Sequence, residues 1–292
     1  MIDKKRRMLL VHAHPDDETI NNGVTMAYYA ANGVQVTLIT CTRGEEGEIL
    51  VPELAHLASD KEDKLGEYRI GELAAAMREL GITDHRFLGD EESKWRDSGM
   101  MGTPQNTRPD VFWNADLDVV AKQLLNVILE IKPHVMITYD ENGGYGHPDH
   151  IKAHQTAMRA AELARASGWE IPKIYWNTIP ISVIEEGIAA LAGTGSDFFG
   201  VEKAEDFPFA APDELVSTVI TAEDYVSKKM AAMKAHPTQI ALSGPFFALS
   251  NNVGFKVWGR EFYRLVHGTA AAPFDKNRRE TDLFAGIASD VS

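Results

Sequence analysis

Apolar and polar positions follow two rhythms along the first half of the chain. The apolar run "RMLLVHA" (7–13) predicts a buried strand. "NNGVTMAYYAANG" follows as a helix ended by Gly33, and the β-branched "VQVTLITC" (34–41) as a second strand. After the polar loop "TRGEEGEIL", "KLGEYRIGELAAAMREL" has the spacing of an amphipathic helix closed by Gly81. "HRFLG" is a short third strand. The long turn-rich loop "DEESKWRDSGMMGTPQNTRPD" precedes the helix "DLDVVAKQLLNVILEIK", which Pro133 stops. "HVMITY" (134–139) is a fourth strand, and "DENGGYGHPDH" leads from it into the helix "IKAHQTAMRAAELARA".

Strands alternating with helices predict right-handed crossovers and an α/β, Rossmann-like fold, with a mostly parallel sheet flanked by helices. In the order 3-2-1-4, strands one and four are neighbours, and the chain reverses between them. That reversal opens a crevice at their carboxyl ends. Beyond Gly168 the pattern weakens: "PKIYWNTI" and "ELVSTVIT" predict strands, and "AEDYVSKKMAAMKAH" a helix. The expected division is a catalytic core over 1–178, joined by 213–241. A smaller lobe from 179–212 and 242–292 walls the cleft.

Composition narrows the partners. The chain has 292 residues, enough for a sizeable core, and its 44% hydrophobic and 25% charged content is that of a soluble globular protein. Lys plus Arg is 29 against 43 Asp plus Glu, a net charge of −14. Such a surface repels nucleic acid and anionic lipid, so the expected partner is a small molecule, with no nucleic acid and no membrane. Cys41 is the single cysteine, which fits a reducing cytoplasm. The basic "KKRR" is followed only by "MLLV", too short an apolar run for a signal or a membrane span. Oligomeric state is left open by these numbers.

Two segments carry ligand-type chemistry: "HAHPDDE" leaves strand one and "GGYGHPDH" leaves strand four. Imidazole and carboxylate are ordinary ligands for zinc and its neighbours. A tight turn at 14–17 aims two side chains at one ion, and a distant histidine completes the set. The expected ligands are His14, Asp17 and His150 around one Zn2+, with Fe2+ equally suited to them. Three protein ligands leave a position for water, as catalytic sites do. Asp16 is then free to act as general base. His147 is expected as an imidazolium that stabilises an oxyanion or protonates a leaving amine, held charged and oriented by Asp149. Tyr145 offers a hydroxyl on a Gly-flanked loop. Glu48, Arg69, Arg96 and Asp97 are candidates for binding a polyhydroxylated ligand. His12 is expected as a packed core histidine, His236 as a cation at a helix C-terminus, and Cys41 as a buried packing residue. Either motif alone reads equally well as a helix cap. Gly143, Gly144 and Gly146 form no G-x-G-x-x-G phosphate loop. Two histidines and a carboxylate also describe the facial triad of non-haem iron oxygenases, and a metal-binding module without catalysis is a third class.

"AHPDDE" followed by "HPDH" resembles the zinc-dependent N-deacetylases of N-acetylglucosamine conjugates, the LmbE-like or PIG-L superfamily. "TRGEEGEI", "GEYRIGEL", "WRDSGMMGT", "TYDENGGYGHPDH" and, more weakly, "KKMAAMKAHPTQI" are similar to its mycothiol-pathway branch. That branch removes acetate from N-acetylglucosaminyl-inositol. The resemblance implies His14, Asp17 and His150 as zinc ligands and Asp16 as base. It implies His147 and Tyr145 as oxyanion or leaving-group partners, with Asp149 orienting His147. It also implies Arg69 at the inositol end and Glu48 and Asp97 near the sugar. The sister branch, the mycothiol S-conjugate amidases, shares the core motifs but carries a lysine where this chain has Asn21, which tilts the expectation towards the deacetylase.

Overall fold

Alternate residues of the first strand feed two separate cores. In β1 (Arg7–His12), Leu9 and Val11 pack on one side with Ile39 and Met136, while Met8 and Leu10 pack on the other with Leu38 and Ile137. Burial on both faces is the signature of a central parallel strand, and it explains why "MLLV" is a continuous apolar run rather than an alternating one. The computed structural model describes residues 6–89, 94–191, 203–207, 210–241 and 259–288.

The remaining strands are β2 (Gln35–Thr40), β3 (Asp84–Phe87), β4 (Val135–Thr138), β5 (Lys173–Pro180), β6 (Ala210–Ala211), β7 (Thr218–Thr221) and β8 (Arg260–His267). Their order is β3-β2-β1-β4-β5-β8-β7, with β6 pairing beside β5. The first five run parallel, and Leu10 lies opposite Leu38 on one side and Ile137 on the other. β8 is antiparallel to both β5 and β7. The predicted neighbourhood 3-2-1-4 is therefore present, and the chain reverses direction between β1 and β4.

Seven helices are described: α1 (Asp17–Ala31), α2 (Leu65–Leu80), α3 (Leu117–Ile131), the single turn α4 (Gly143–Gly146), α5 (Pro148–Ala166), α6 (Ile181–Leu191) and α7 (Val226–Lys234). α3 presents Val120, Leu124 and Ile128 to one sheet face. α5 lies beside it with Ala153, Ala157, Ala160 and Ala164, a small-residue stripe that lets the backbones approach. α1, α2 and α7 cover the other face with Met26, Leu73, Met77 and Ala232. Each fully buried Leu, Ile or Met contributes about 1.5–3 kcal/mol, so the sheet's two covers are the main stabilising term. Gly81 ends α2 in the left-handed conformation, as its sequence position predicts. Among the described residues no helix is long and apolar enough to cross a membrane.

The expected smaller lobe needs correction at its C-terminal part. β8 lies inside the main sheet, and Leu283 and Phe284 pack in the core against Tyr29. "REFYRLVH" carries polar residues at its strand positions because it pairs near the sheet edge, which hides it from a search for apolar runs. The rest of that lobe is a satellite cluster in which α6 and β6 enclose Ile184, Ile188 and Phe207. Residues 192–202, 208–209 and 242–258 of the expected lobe lie outside the described residues.

Candidate active site

The turn after β1 departs from ordinary backbone at one residue. Asp16 has φ 119° and ψ −31°, a region that non-glycine residues adopt at a cost of about 1–3 kcal/mol. Its carboxylate does not cap α1. Other groups hold the turn: Asp16 N–H donates to Glu18 Oε2 (3.0 Å), and Thr19 Oγ1 donates to Asp16 O (2.7 Å). The result frees the Asp16 carboxylate to face the cleft, where Arg69 Nη2 reaches it at 3.2 Å. Burial pushes Asp16 up to about 7 against the pull of Arg69, and the charge of Asp17 adds to the rise.

The second motif comes from the loop after β4. Gly143 has φ 62°, and a Cβ there would stand 2.6 Å from His150 Cβ, so only glycine lets this loop lie on the start of α5. Gly143 O then faces His150 Nδ1 at 3.1 Å, which turns Nε2 inward. α5 begins at Pro148, three residues earlier than the apolar pattern predicts, so His150 sits on the helix's first turn.

The two motifs meet. The rings of His14 and His150 lie 5.3 Å apart, and His147 is 4.7 Å from His14 and 5.1 Å from His150. Asp17 stands between them, with Oδ2 3.4 Å from His14 Nδ1 and Oδ1 3.4 Å from His150 Nε2. His150 Nε2 is buried and has no hydrogen-bond partner. A buried imidazole nitrogen without a hydrogen-bond partner is a donor that suits a cation. Electrostatics agree: burial opposes a charge on His14, yet Asp97, Asp149 and Asp17 hold its imidazole well above the ordinary range. Surroundings that favour a proton there favour a divalent cation for the same Coulombic reason. The donor set His14, Asp17 and His150 thus fits a metal ion; His147 and, on the other side of His14, Asp97 and Asp149 are within reach of the same cluster.

Several expectations change. The Asp149 carboxylate is not aimed at His147. It accepts from Ser98 N–H (2.9 Å) and Ser98 Oγ, and lies 3.2 Å from His14 Nε2. His147 is instead the residue preceding α5, with Nδ1 accepting the backbone N–H of Asp149 at 3.1 Å. Burial, then His14 and His150, lowers His147 to about 3, so it is neutral rather than an imidazolium. Arg69 is buried in contacts with Gly44 O, Pro15 O and Asp16, which ties it to the turn. Arg96 is taken up by Glu46 and Asp63 and does not line the cleft. His236 lies just past the end of α7, as expected, and is fully buried with Nε2 3.3 Å from Glu18 Oε1. His12 is packed as expected, with Nε2 2.8 Å from Asn22 Oδ1, and Cys41 is buried.

A cleft of about 350 Å³ opens over the cluster. His14, Asp16, Asp17, Arg69, Asp97, Tyr145 and His147 line it, with Glu48 at its exposed side. Gln239, Met100 and Asn21 are also part of the wall. Sequence reasoning passed over Gln239 and Met100, which carry no ligand chemistry; their only signal was membership of "KKMAAMKAHPTQI" and "WRDSGMMGT". Tyr139 was also missed: it reads as the last residue of a strand, yet its hydroxyl sits among His12, Ala13 and Asp17.

A family model described as PIG-L, GlcNAc-PI de-N-acetylase, matches residues 9–161. Relatives include the 1D-myo-inositol 2-acetamido-2-deoxy-alpha-D-glucopyranoside deacetylase of Geodermatophilus obscurus, 56% identical over 97% of this chain and 98% of the relative. The protein of the same description from Streptomyces avermitilis is 53% identical over 97% of this chain and 98% of its own length. Among solved structures, the N,N'-diacetylchitobiose deacetylase of Pyrococcus horikoshii aligns with TM-score 0.57 at 17% identity, over 89% of this chain and 84% of that one, a likeness of fold alone. With the family match covering more than half of the chain and full-length relatives above half identity, the chain belongs to the PIG-L family of de-N-acetylases.

Proposed function

We propose that this chain is a cytoplasmic, zinc-dependent N-deacetylase acting in mycothiol biosynthesis. It hydrolyses the N-acetyl amide of N-acetylglucosaminyl-inositol to acetate and glucosaminyl-inositol. Family membership favours amide hydrolysis over oxygenase chemistry, and the activity named for the full-length relatives supports the substrate. The single structural observation that carries the reading is His150 Nε2. It is buried, unpartnered and turned to Asp17 beside His14, next to a cleft that also holds Asp16.

His14, Asp17 and His150 would hold the cation. Bound there, it would acidify a water and polarise the acetyl oxygen. The chain's own groups do the rest. Asp16 accepts the proton released as water attacks the acetyl carbonyl, and a carboxylate at about 7 is matched to that task. His147 acts as a neutral donor. Its Nδ1 is occupied by the Asp149 N–H, so its proton is on Nε2 and stabilises the developing oxyanion. The Tyr145 hydroxyl, on the cleft wall, donates to the same oxygen. As the C–N bond breaks, Asp16 returns the proton to the departing sugar nitrogen. An imidazole lowered to about 3 holds no spare proton for this step, which assigns the acid role to Asp16. Glu48 and Asp97 accept sugar hydroxyls. Arg69 serves as the partner of Asp16 rather than as a free inositol-binding cation.

The test is direct. Zinc-loaded protein is incubated with N-acetylglucosaminyl-inositol and, separately, with an S-conjugate of mycothiol, and the free amine from each is quantified. Faster release from the first supports the reading. Comparable rates remove the preference over the conjugate amidases, and no amine from either overturns the proposal.

A further inference from the structure

One phenol touches every segment that carries a proposed ligand. Tyr139 follows β4 directly and is buried. Its oxygen accepts the backbone N–H of Ala13, the residue before His14, at 2.9 Å. Its hydroxyl donates to Asp17 Oδ2 at 2.7 Å. Its ring stacks on the imidazole of His150, with centroids 4.3 Å apart and planes 20° from parallel. We infer that Tyr139 is a positioning residue that fixes which oxygen of Asp17 meets the metal. This inference rests on reading His14, Asp17 and His150 as the ligand set.

The supply of donors and acceptors decides which oxygen is free. A phenol has one proton to give, and an ionised carboxylate has none. Tyr139 already accepts the Ala13 N–H and has one proton to give, and Asp17 Oδ2 at 2.7 Å is the nearest acceptor for it. Asp17 Oδ2 accepts a second hydrogen bond from the His14 backbone N–H at 2.8 Å. Two donors therefore occupy Oδ2. Oδ1 faces His150 Nε2 and is left to coordinate through one oxygen. His12 gives its ring proton to Asn22 Oδ1 (Nε2 to Oδ1 2.8 Å), so its Nδ1, 3.2 Å from the phenol oxygen, is only a rival acceptor; Asp17 Oδ2, nearer at 2.7 Å, takes the phenol proton. Outer partners such as this phenol orient a metal ligand and set its strength as much as the ligand's identity does.

Removing the hydroxyl alone tests this. Y139F keeps the ring on His150 and frees Asp17 Oδ2. The control is Y29F, which deletes an equally buried hydroxyl bonded to Asp282 at 2.8 Å, far from the cluster. Three quantities are measured: retention of zinc against a colorimetric chelator, the visible spectrum of the Co2+-substituted protein, and kcat and KM separately. For Y139F the expected results are about 10- to 100-fold weaker zinc retention, an altered cobalt spectrum, and a fall in kcat with KM nearly unchanged. Y29F lowers the melting temperature but leaves retention and spectrum as in the wild type. If Y139F retains zinc and shows a wild-type cobalt spectrum, the positioning role is overturned while the ligand set stands. If the wild type itself retains no zinc, the ligand set fails and this inference with it. Should Y139F not fold, 3-fluorotyrosine at position 139 keeps the ring on His150 and makes the phenol a stronger donor to Asp17; a cobalt spectrum unchanged by it overturns the role.

Discussion

Two clusters of buried charge meet α1, one at its middle and one at its N-terminal end, and they differ in completeness. At the middle, Lys229 Nζ meets Glu261 Oε1 at 2.7 Å, and the same carboxylate accepts the backbone N–H groups of Val24 and Thr25 at 3.0 and 2.8 Å. Glu261 is saturated, and Gly23 leaves room for the Lys229 stem to lie across the helix. At the N-terminal end, the cluster of His14, Asp17 and His150 holds a buried nitrogen with no partner, beside a strained Asp16. A saturated buried network pins elements together. An unsaturated buried atom asks for an explanation, and a bound ion is one. The first kind of cluster locks α1, α7 and β8 into one unit; the second offers the donors that the proposed cation would complete.

That contrast breaks if either cluster behaves like the other. The largest effect is expected for H150A or for chelation of the wild type. Zinc content and turnover are lost together, by more than about 100-fold in rate, while circular dichroism shows the fold retained. D16N comes next. It is expected to lower kcat by about 10²–10⁴-fold with zinc content unchanged, read by single-substrate kinetics and metal analysis. K229M attacks the complete cluster and should do the reverse. Leaving Glu261 buried without its cation is expected to destabilise by about 3–5 kcal/mol in urea melts, with zinc content per folded molecule unchanged. G143A sharpens the picture. Forcing a Cβ onto φ 62° against His150 is expected to destabilise by about 1–3 kcal/mol and to weaken zinc retention, because the same loop turns Nε2 inward. The smallest effect is R86A at the surface pair with Glu130, at about 0–1 kcal/mol and no change in kcat.

Much of this was legible along the chain, for local reasons. The run "MLLV" marks a strand buried on both faces, and two ligand-rich turns follow strands that a 3-2-1-4 order makes neighbours. His14, Asp16, Asp17, His147 and His150 carry chemistry that few other positions need, so residue type alone singled them out. Asp149 shows where this stops. Its place in "HPDH" predicts a partner for His147, but the packing of the segment after Arg96 brings Ser98 to its carboxylate instead. His236 was legible as a helix-end residue because its helix was visible, whereas its contact with Glu18, more than two hundred residues away, was not.

What the sequence by itself determined is the alternation of strands and helices, the family, and the short list of groups able to bind a cation. Those follow from side-chain chemistry and from spacings of two to four residues, which are local. Only the tertiary structure decided which nitrogen is left unpaired, which Asp17 oxygen Tyr139 occupies, and that β8 completes the sheet between β5 and β7. The Tyr139–Asp17 bond spans 122 positions and the pairs of β8 with its neighbours span tens of positions, distances that are set by how whole elements pack and not by any pattern along the chain.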